Sequence, residues 1–123
     1  MELFSIAAGG ALGAVSRFCL GNFISRIIGS ALPYGTFVIN IVGCFFMGLI
    51  MTMIIERGML SAAWRLLLCV GFLGGFTTFS SFGYETLMLL QEEKIFAALA
   101  YVGGSIILGL MSAALGVAVG KLL

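Results

Sequence analysis

The sequence predicts an all-α integral membrane protein with four transmembrane helices in a single domain over residues 1–123, and three observations carry that expectation. Of its 123 residues, 62% are hydrophobic and 9% charged, against roughly 25% charged in soluble domains. Four apolar stretches each reach the ~20 residues needed to cross bilayer hydrocarbon. What remains between them is too short for an aqueous domain.

The first stretch, roughly Leu3 to Ile24, starts behind Glu2 and is rich in glycine. A secretory leader would open on basic residues, so this stretch is expected to stay as a helix. Gly29-Ser30-Ala31-Leu32-Pro33-Tyr34-Gly35 supplies a turn. Pro33 suits the entry of the second helix, where the N–H it lacks would have no partner anyway. That helix runs roughly from Gly35 to Ile55 and stops at Glu56-Arg57-Gly58. A third stretch, Trp64 to Leu90, is separated from a fourth, Ile95 to Val119, by Gln91-Glu92-Glu93-Lys94.

Charge and chemistry narrow the function. With four crossings, Arg57, Arg65 and Lys121 fall on the side of the termini, while Arg26 and Lys94 fall on the other, with Arg17 toward that far end of the first helix. The Lys/Arg bias between short loops sets orientation, so this near balance allows insertion both ways and permits an antiparallel dimer. Cys19, Cys44 and Cys69 are odd in number and lie in apolar spans, which reads as packing rather than a disulfide framework. Histidine and aspartate are absent, which argues against zinc or iron centres and His-based triads. Neither an enzyme nor a nucleic-acid partner is expected.

No internal repeat is visible, yet a small transport protein needs symmetry to build a two-sided pathway. Four short helices hardly enclose a polar path, so a second copy is expected, its two-fold axis setting the same patch against itself. Gly9 with Gly13, Gly71 with Gly75, Ser105 with Gly109, and Ser112 with Gly116 and Gly120 have the small-xxx-small spacing that lets helices approach closely.

The run Gly71-Phe72-Leu73-Gly74-Gly75-Phe76-Thr77-Thr78-Phe79-Ser80-Ser81-Phe82 weakens helix in the middle of a span. Backbone groups freed there survive only against protein or a water-filled path, so a break near Gly74–Thr78 points to an ion site. Other in-membrane polar residues are candidates too. Asn40 either bonds a neighbouring helix or donates to an anion. Arg17 anchors the first helix or draws anions to a vestibule. Glu85 is a proton-coupled carboxylate, a pore-mouth group or a helix-end residue. Tyr101, Ser105 and Ser112 place hydroxyls along one face of the fourth helix. Phe79 and Phe82, three apart, are core rings or, through their positive edges, part of a coat for a small hard anion that needs no fixed charge.

Three ordered blocks now carry a resemblance: Gly9-Gly10-x-x-Gly13-Ala14-x-x-Arg17, Pro33-x-Gly35-Thr36-x-x-x-Asn40-x-x-Gly43, and the Gly71–Phe82 run. Together they resemble the Fluc (CrcB-type) fluoride channels along most of the chain. The resemblance implies a dual-topology antiparallel homodimer in the bacterial inner membrane that passively exports fluoride, with a structural sodium ion at the dimer centre on backbone carbonyls of Gly74 and Thr77. It also implies that Phe79, Phe82 and Asn40 line the fluoride pore. Thr78, Ser81 and Glu85 would extend the polar track, joined by Tyr101 and Ser105, and Arg17 matches the family's first-helix arginine. Ser81 replaces a threonine of the family run, keeping the hydroxyl. Two other classes compete: a proton-coupled exporter of the small multidrug type using Glu85, and a structural subunit whose glycines only pack helices.

Overall fold

The computed structural model describes residues 1–123, which form helices joined by short turns, with no strand. Helix α1 spans Glu2–Ile28, α2 spans Tyr34–Ile55 and α3 covers residues 62–76. Helix α4 spans Phe79–Gln91 and α5 spans Ile95–Leu122. Helices α3 and α4 together make one span, so four helical spans are long and apolar enough to cross a membrane. At 27 and 28 residues, α1 and α5 outrun the ~30 Å hydrocarbon at about 1.5 Å per residue. They therefore continue past the apolar stretches to take in Arg26 and Lys121 in their last turns.

Helix α3 is wound unevenly. Residues Arg65–Leu73 form a π-helix, and the Gly74 N–H is shared between the carbonyls of Cys69 and Gly71. Runs of this winding are rare and tend to mark functional segments. The winding lies where α1 presses hardest: Cβ atoms on Gly9 and Gly13 would overlap the carbonyl oxygens of Leu67 and Phe72. From the other side, a Cβ on Gly71 would sit 2.9 Å from the Ile6 carbonyl oxygen.

A second close pair joins α2 to α5. Cβ atoms on Gly48 and Gly116 would overlap the carbonyls of Ala113 and Phe45, and the Ser112 hydroxyl donates to the Ile41 carbonyl at 2.8 Å. The pairs are locked together where Ile39 of α2 meets Leu73 and Phe76. Helix α4 closes onto α5 through Leu89, Ala98 and Tyr101. Lipid provides no hydrophobic drive between helices, so this glycine-mediated contact is what fixes their positions.

Only 17 of 123 residues are buried, so one copy has little interior, and its apolar outer face needs lipid or another protein surface. Gly116→Val would drive a side chain into the Phe45 backbone, which has no rotamer with which to yield. It is expected to cost about 1–3 kcal/mol, read as a lower unfolding midpoint in mild detergent. Gly83→Ala, with nothing within 4 Å of the added carbon, should leave that midpoint unchanged or raise it.

Candidate functional site

Helical bonding stops at Phe76 and resumes at Phe79. Between them Thr77 (φ −81°, ψ 160°) and Thr78 (φ −150°, ψ 122°) are extended. At membrane depth each backbone group released by that geometry needs a partner. Thr77 serves the Leu73 carbonyl twice, through its N–H at 3.0 Å and its hydroxyl at 2.9 Å. Arg17 of α1 donates from Nε to the Gly75 carbonyl at 3.1 Å. Asn40 of α2 clasps one residue from both ends: Nδ2 donates to the Thr78 carbonyl at 3.0 Å and Oδ1 accepts the Thr78 N–H at 2.9 Å. The Thr78 hydroxyl caps α4 by accepting the Ser81 N–H at 3.2 Å.

Gly43, three residues beyond Asn40, leaves the space that the Thr77 methyl fills. The carbonyls of Gly74 and Thr77, by contrast, accept no hydrogen bond outside the helical ladders, and Gly74 is exposed. No group of three or more His, Cys, Asp and Glu side chains is placed to hold a metal. Backbone oxygens are the donors present at the break, and uncharged oxygens suit a hard cation rather than a soft one.

Two recesses meet at Thr78. The larger, about 390 Å³, is lined by Arg17, Thr36, Ser81 and Glu85 among others. Within it the Thr36 hydroxyl donates to Glu85 Oε1 at 2.6 Å. The second, about 360 Å³, includes Asn40, Cys44, Phe79, Phe82 and Ser105 in its wall. Phe82 stands 5.8 Å from Phe79 and meets Tyr101 edge-on at 5.0 Å. The Tyr101 hydroxyl is buried facing Thr36 and Glu85, and the Ser105 hydroxyl is buried with no hydrogen-bond partner. A buried polar group left alone costs roughly 1–3 kcal/mol, so the Ser105 hydroxyl in the wall of the second recess is the side chain there with hydrogen-bonding capacity to spare.

The expected site residues thus divide into three groups. Asn40, Phe79, Phe82 and Ser105 share the second recess, with Tyr101 behind Phe82. Arg17, Ser81 and Glu85 share the first, and Thr78 belongs to both. Gly74 and Thr77 stand at the break itself. Ser112 is drawn away from this track by its bond to Ile41. Phe79 is 82% exposed, so its outer side is open in a single copy. Thr36 was not among the expected site residues. Its signal lay in the spacing, four residues before Asn40 and hence on the same face of α2.

Residues 4–117 match the family described as CrcB-like protein, Camphor Resistance (CrcB). The chain belongs to the CrcB family. It is similar to the Fluoride-specific ion channel FluC of Acidobacterium capsulatum, 45% identical over 121 residues covering 98% of this chain and 97% of that one. The protein of the same name from Chloroflexus aurantiacus is 44% identical over 120 residues, 98% and 95% of the two chains. A third, from Solibacter usitatus, is 47% identical over 109 residues, 89% of each. This is the family that the ordered blocks of the sequence resemble.

Within this CrcB chain the clasp on Thr78 is testable by its own chemistry. Asn40→Asp keeps the acceptor for the Thr78 N–H but sets a second oxygen against the Thr78 carbonyl. We expect a destabilisation of about 1–3 kcal/mol, measured as a drop in unfolding midpoint. An unchanged midpoint would show that the clasp does not hold the break.

Proposed function

We propose that this chain is a passive, fluoride-selective channel of the bacterial inner membrane that lets cytoplasmic fluoride leave down its electrochemical gradient. The observation that carries the reading is the second recess, walled by uncharged donors and ring edges, which meets the larger, charged recess at Thr78. Asn40 has a second amide hydrogen beyond the one given to Thr78. Ser105 has a hydroxyl with no partner, and the Tyr101 hydroxyl faces Thr36 and Glu85. Phe79 and Phe82 add positive ring edges. Such groups replace hydration around a small hard anion, and because none is a fixed cation the ion is free to leave again. Relatives that match nearly the full length bear the name fluoride-specific ion channel. Ser81, Glu85 and Thr36 extend the path into the larger recess. No chemistry is catalysed.

The working unit we propose is an antiparallel homodimer with two fluoride paths and a structural sodium ion at its centre. The exposure of Phe79 and Gly74 in one copy, together with the nearly balanced Lys/Arg distribution, supports a second copy inserted the other way round. The free carbonyls of Gly74 and Thr77 are the groups that would hold the cation, in keeping with backbone-carbonyl sites at broken membrane helices.

Efflux from liposomes carrying the purified protein, started with a potassium ionophore and followed with fluoride and chloride electrodes, tests this reading. Fast fluoride release without chloride release, independent of a proton gradient, is expected. Silence with fluoride, combined with proton-driven uptake of an organic cation, would replace the channel by an exporter working through Glu85. Ring-edge contacts are worth about 0.5–1.5 kcal/mol, so Phe82→Ile should slow fluoride flux roughly threefold to tenfold while leaving the purified protein folded. Full flux in that variant would remove the ring from the path.

A further inference from the structure

The break carries an unusual combination of groups: backbone carbonyls without partners and, one peptide unit away, a guanidinium. Gly74 offers a free, exposed carbonyl. The next residue, Gly75, has its carbonyl held by Arg17 Nε at 3.1 Å. Consecutive α-carbons are about 3.8 Å apart, so the Arg17 guanidinium is held one residue from the Gly74 carbonyl and two residues from that of Thr77. Arg17 has no ion-pair partner: the salt bridges join Lys94 to Glu92 and Lys121 to Glu56. Of the two carboxylates that line its recess, Glu85 accepts the Thr36 hydroxyl and Glu92 pairs with Lys94. No group of three or more metal-ligating side chains gathers there to offset a cation's charge.

We infer that Arg17 is the specificity-determining residue of this cation site, restricting it to monovalent ions. Repulsion by a fixed positive charge doubles when the bound ion's charge doubles. A calcium ion gains in return only neutral carbonyls, whereas calcium sites are ordinarily built on carboxylates. Arg17 therefore does two things at once. It removes the Gly75 carbonyl from the ligand set, and it places a charge that a sodium ion tolerates and a divalent ion does not. In an antiparallel dimer the partner subunit would contribute a second guanidinium and sharpen the restriction. The inference rests on the proposed carbonyl cation site and goes beyond it by naming what excludes divalent ions.

Thermal unfolding of the purified protein in an organic-cation buffer, with sodium or calcium added, tests it without any flux measurement. Sodium is expected to raise the midpoint of the wild-type protein and calcium is not. Arg17→Gln keeps a neutral N–H for the Gly75 carbonyl, and the calcium concentration needed to raise its midpoint should fall by about tenfold or more. Arg17→Lys, which keeps the charge, should stay indifferent to calcium. If Arg17→Gln responds to sodium and remains blind to calcium, the selectivity role is overturned while the cation site stands. If wild type and variant ignore both ions, the cation site itself is overturned and the selectivity role falls with it. Should Arg17→Gln fail to fold in sodium, its recovery on purification in calcium would support the assignment, and failure to recover would count against it.

Discussion

The arrangement hangs on one constraint: backbone groups released from a helix inside a bilayer have no water to turn to. Thr77 and Thr78 are extended, and three side chains are spent on the consequence. Asn40 takes both polar groups of Thr78, Arg17 takes the Gly75 carbonyl, and the Thr77 hydroxyl returns to Leu73. Arg17, Asn40 and Thr77, far apart in the sequence, thus act as a single set at one break. The carbonyls left over, at Gly74 and Thr77, are the ones for which a partner from outside the chain has to be sought.

Those side chains reach the break only because the helices approach so closely. Glycines at positions 9, 13, 71 and 75 let α1 lie against the backbone of α3, and glycines at 48 and 116 do the same for α2 and α5. A Cβ at any of these positions would hold the helices apart by a distance that hydrogen bonds of about 3 Å do not survive. The packing therefore precedes the chemistry. Gly43 shows the link most directly, since the absence of its side chain is what allows the Thr77 methyl to dock beside Asn40.

Sequence reasoning located the spans because length and apolarity are all that a membrane helix requires, and loop residues such as Pro33 and the Glu56-Arg57-Gly58 turn punctuate them. It also pointed to the Gly74–Thr78 region, but glycine was not the residue that left the helix. Gly74 and Gly75 remain helical, Gly75 pressed against α1 and tied to Arg17. The extended backbone falls on Thr77 and Thr78, whose β-branched side chains are at home there. The π winding of Arg65–Leu73 leaves no trace in hydrophobic periodicity, since it follows from contact with α1 and not from local preference. Asn40 was open to two readings because a sequence shows an amide but not its partner. The Thr36–Glu85 bond, 49 residues apart, is hidden for the same reason. The alignment of Ser112 with Tyr101 and Ser105 was a correct statement about helix geometry that could not see the Ile41 carbonyl claiming one member.

Charge placement gives the proposed conduction reading its internal logic. A pathway walled by guanidinium groups would bind an anion tightly and release it slowly, whereas amide, hydroxyl and ring-edge donors hold it loosely enough to pass it on. In this chain the one arginine near the break has its Nε committed to a backbone carbonyl, and Glu85, one of two carboxylates lining the larger recess, is occupied by Thr36. Both charges remain close enough to shape the field that an approaching ion meets. The donors lining the second recess, on Asn40, Ser105 and the rings of Phe79 and Phe82, are all neutral. On the proposed reading the break would separate two tasks that a single charged site would confuse: Arg17 would set the electrostatics of the backbone, and neutral groups would contact the ion.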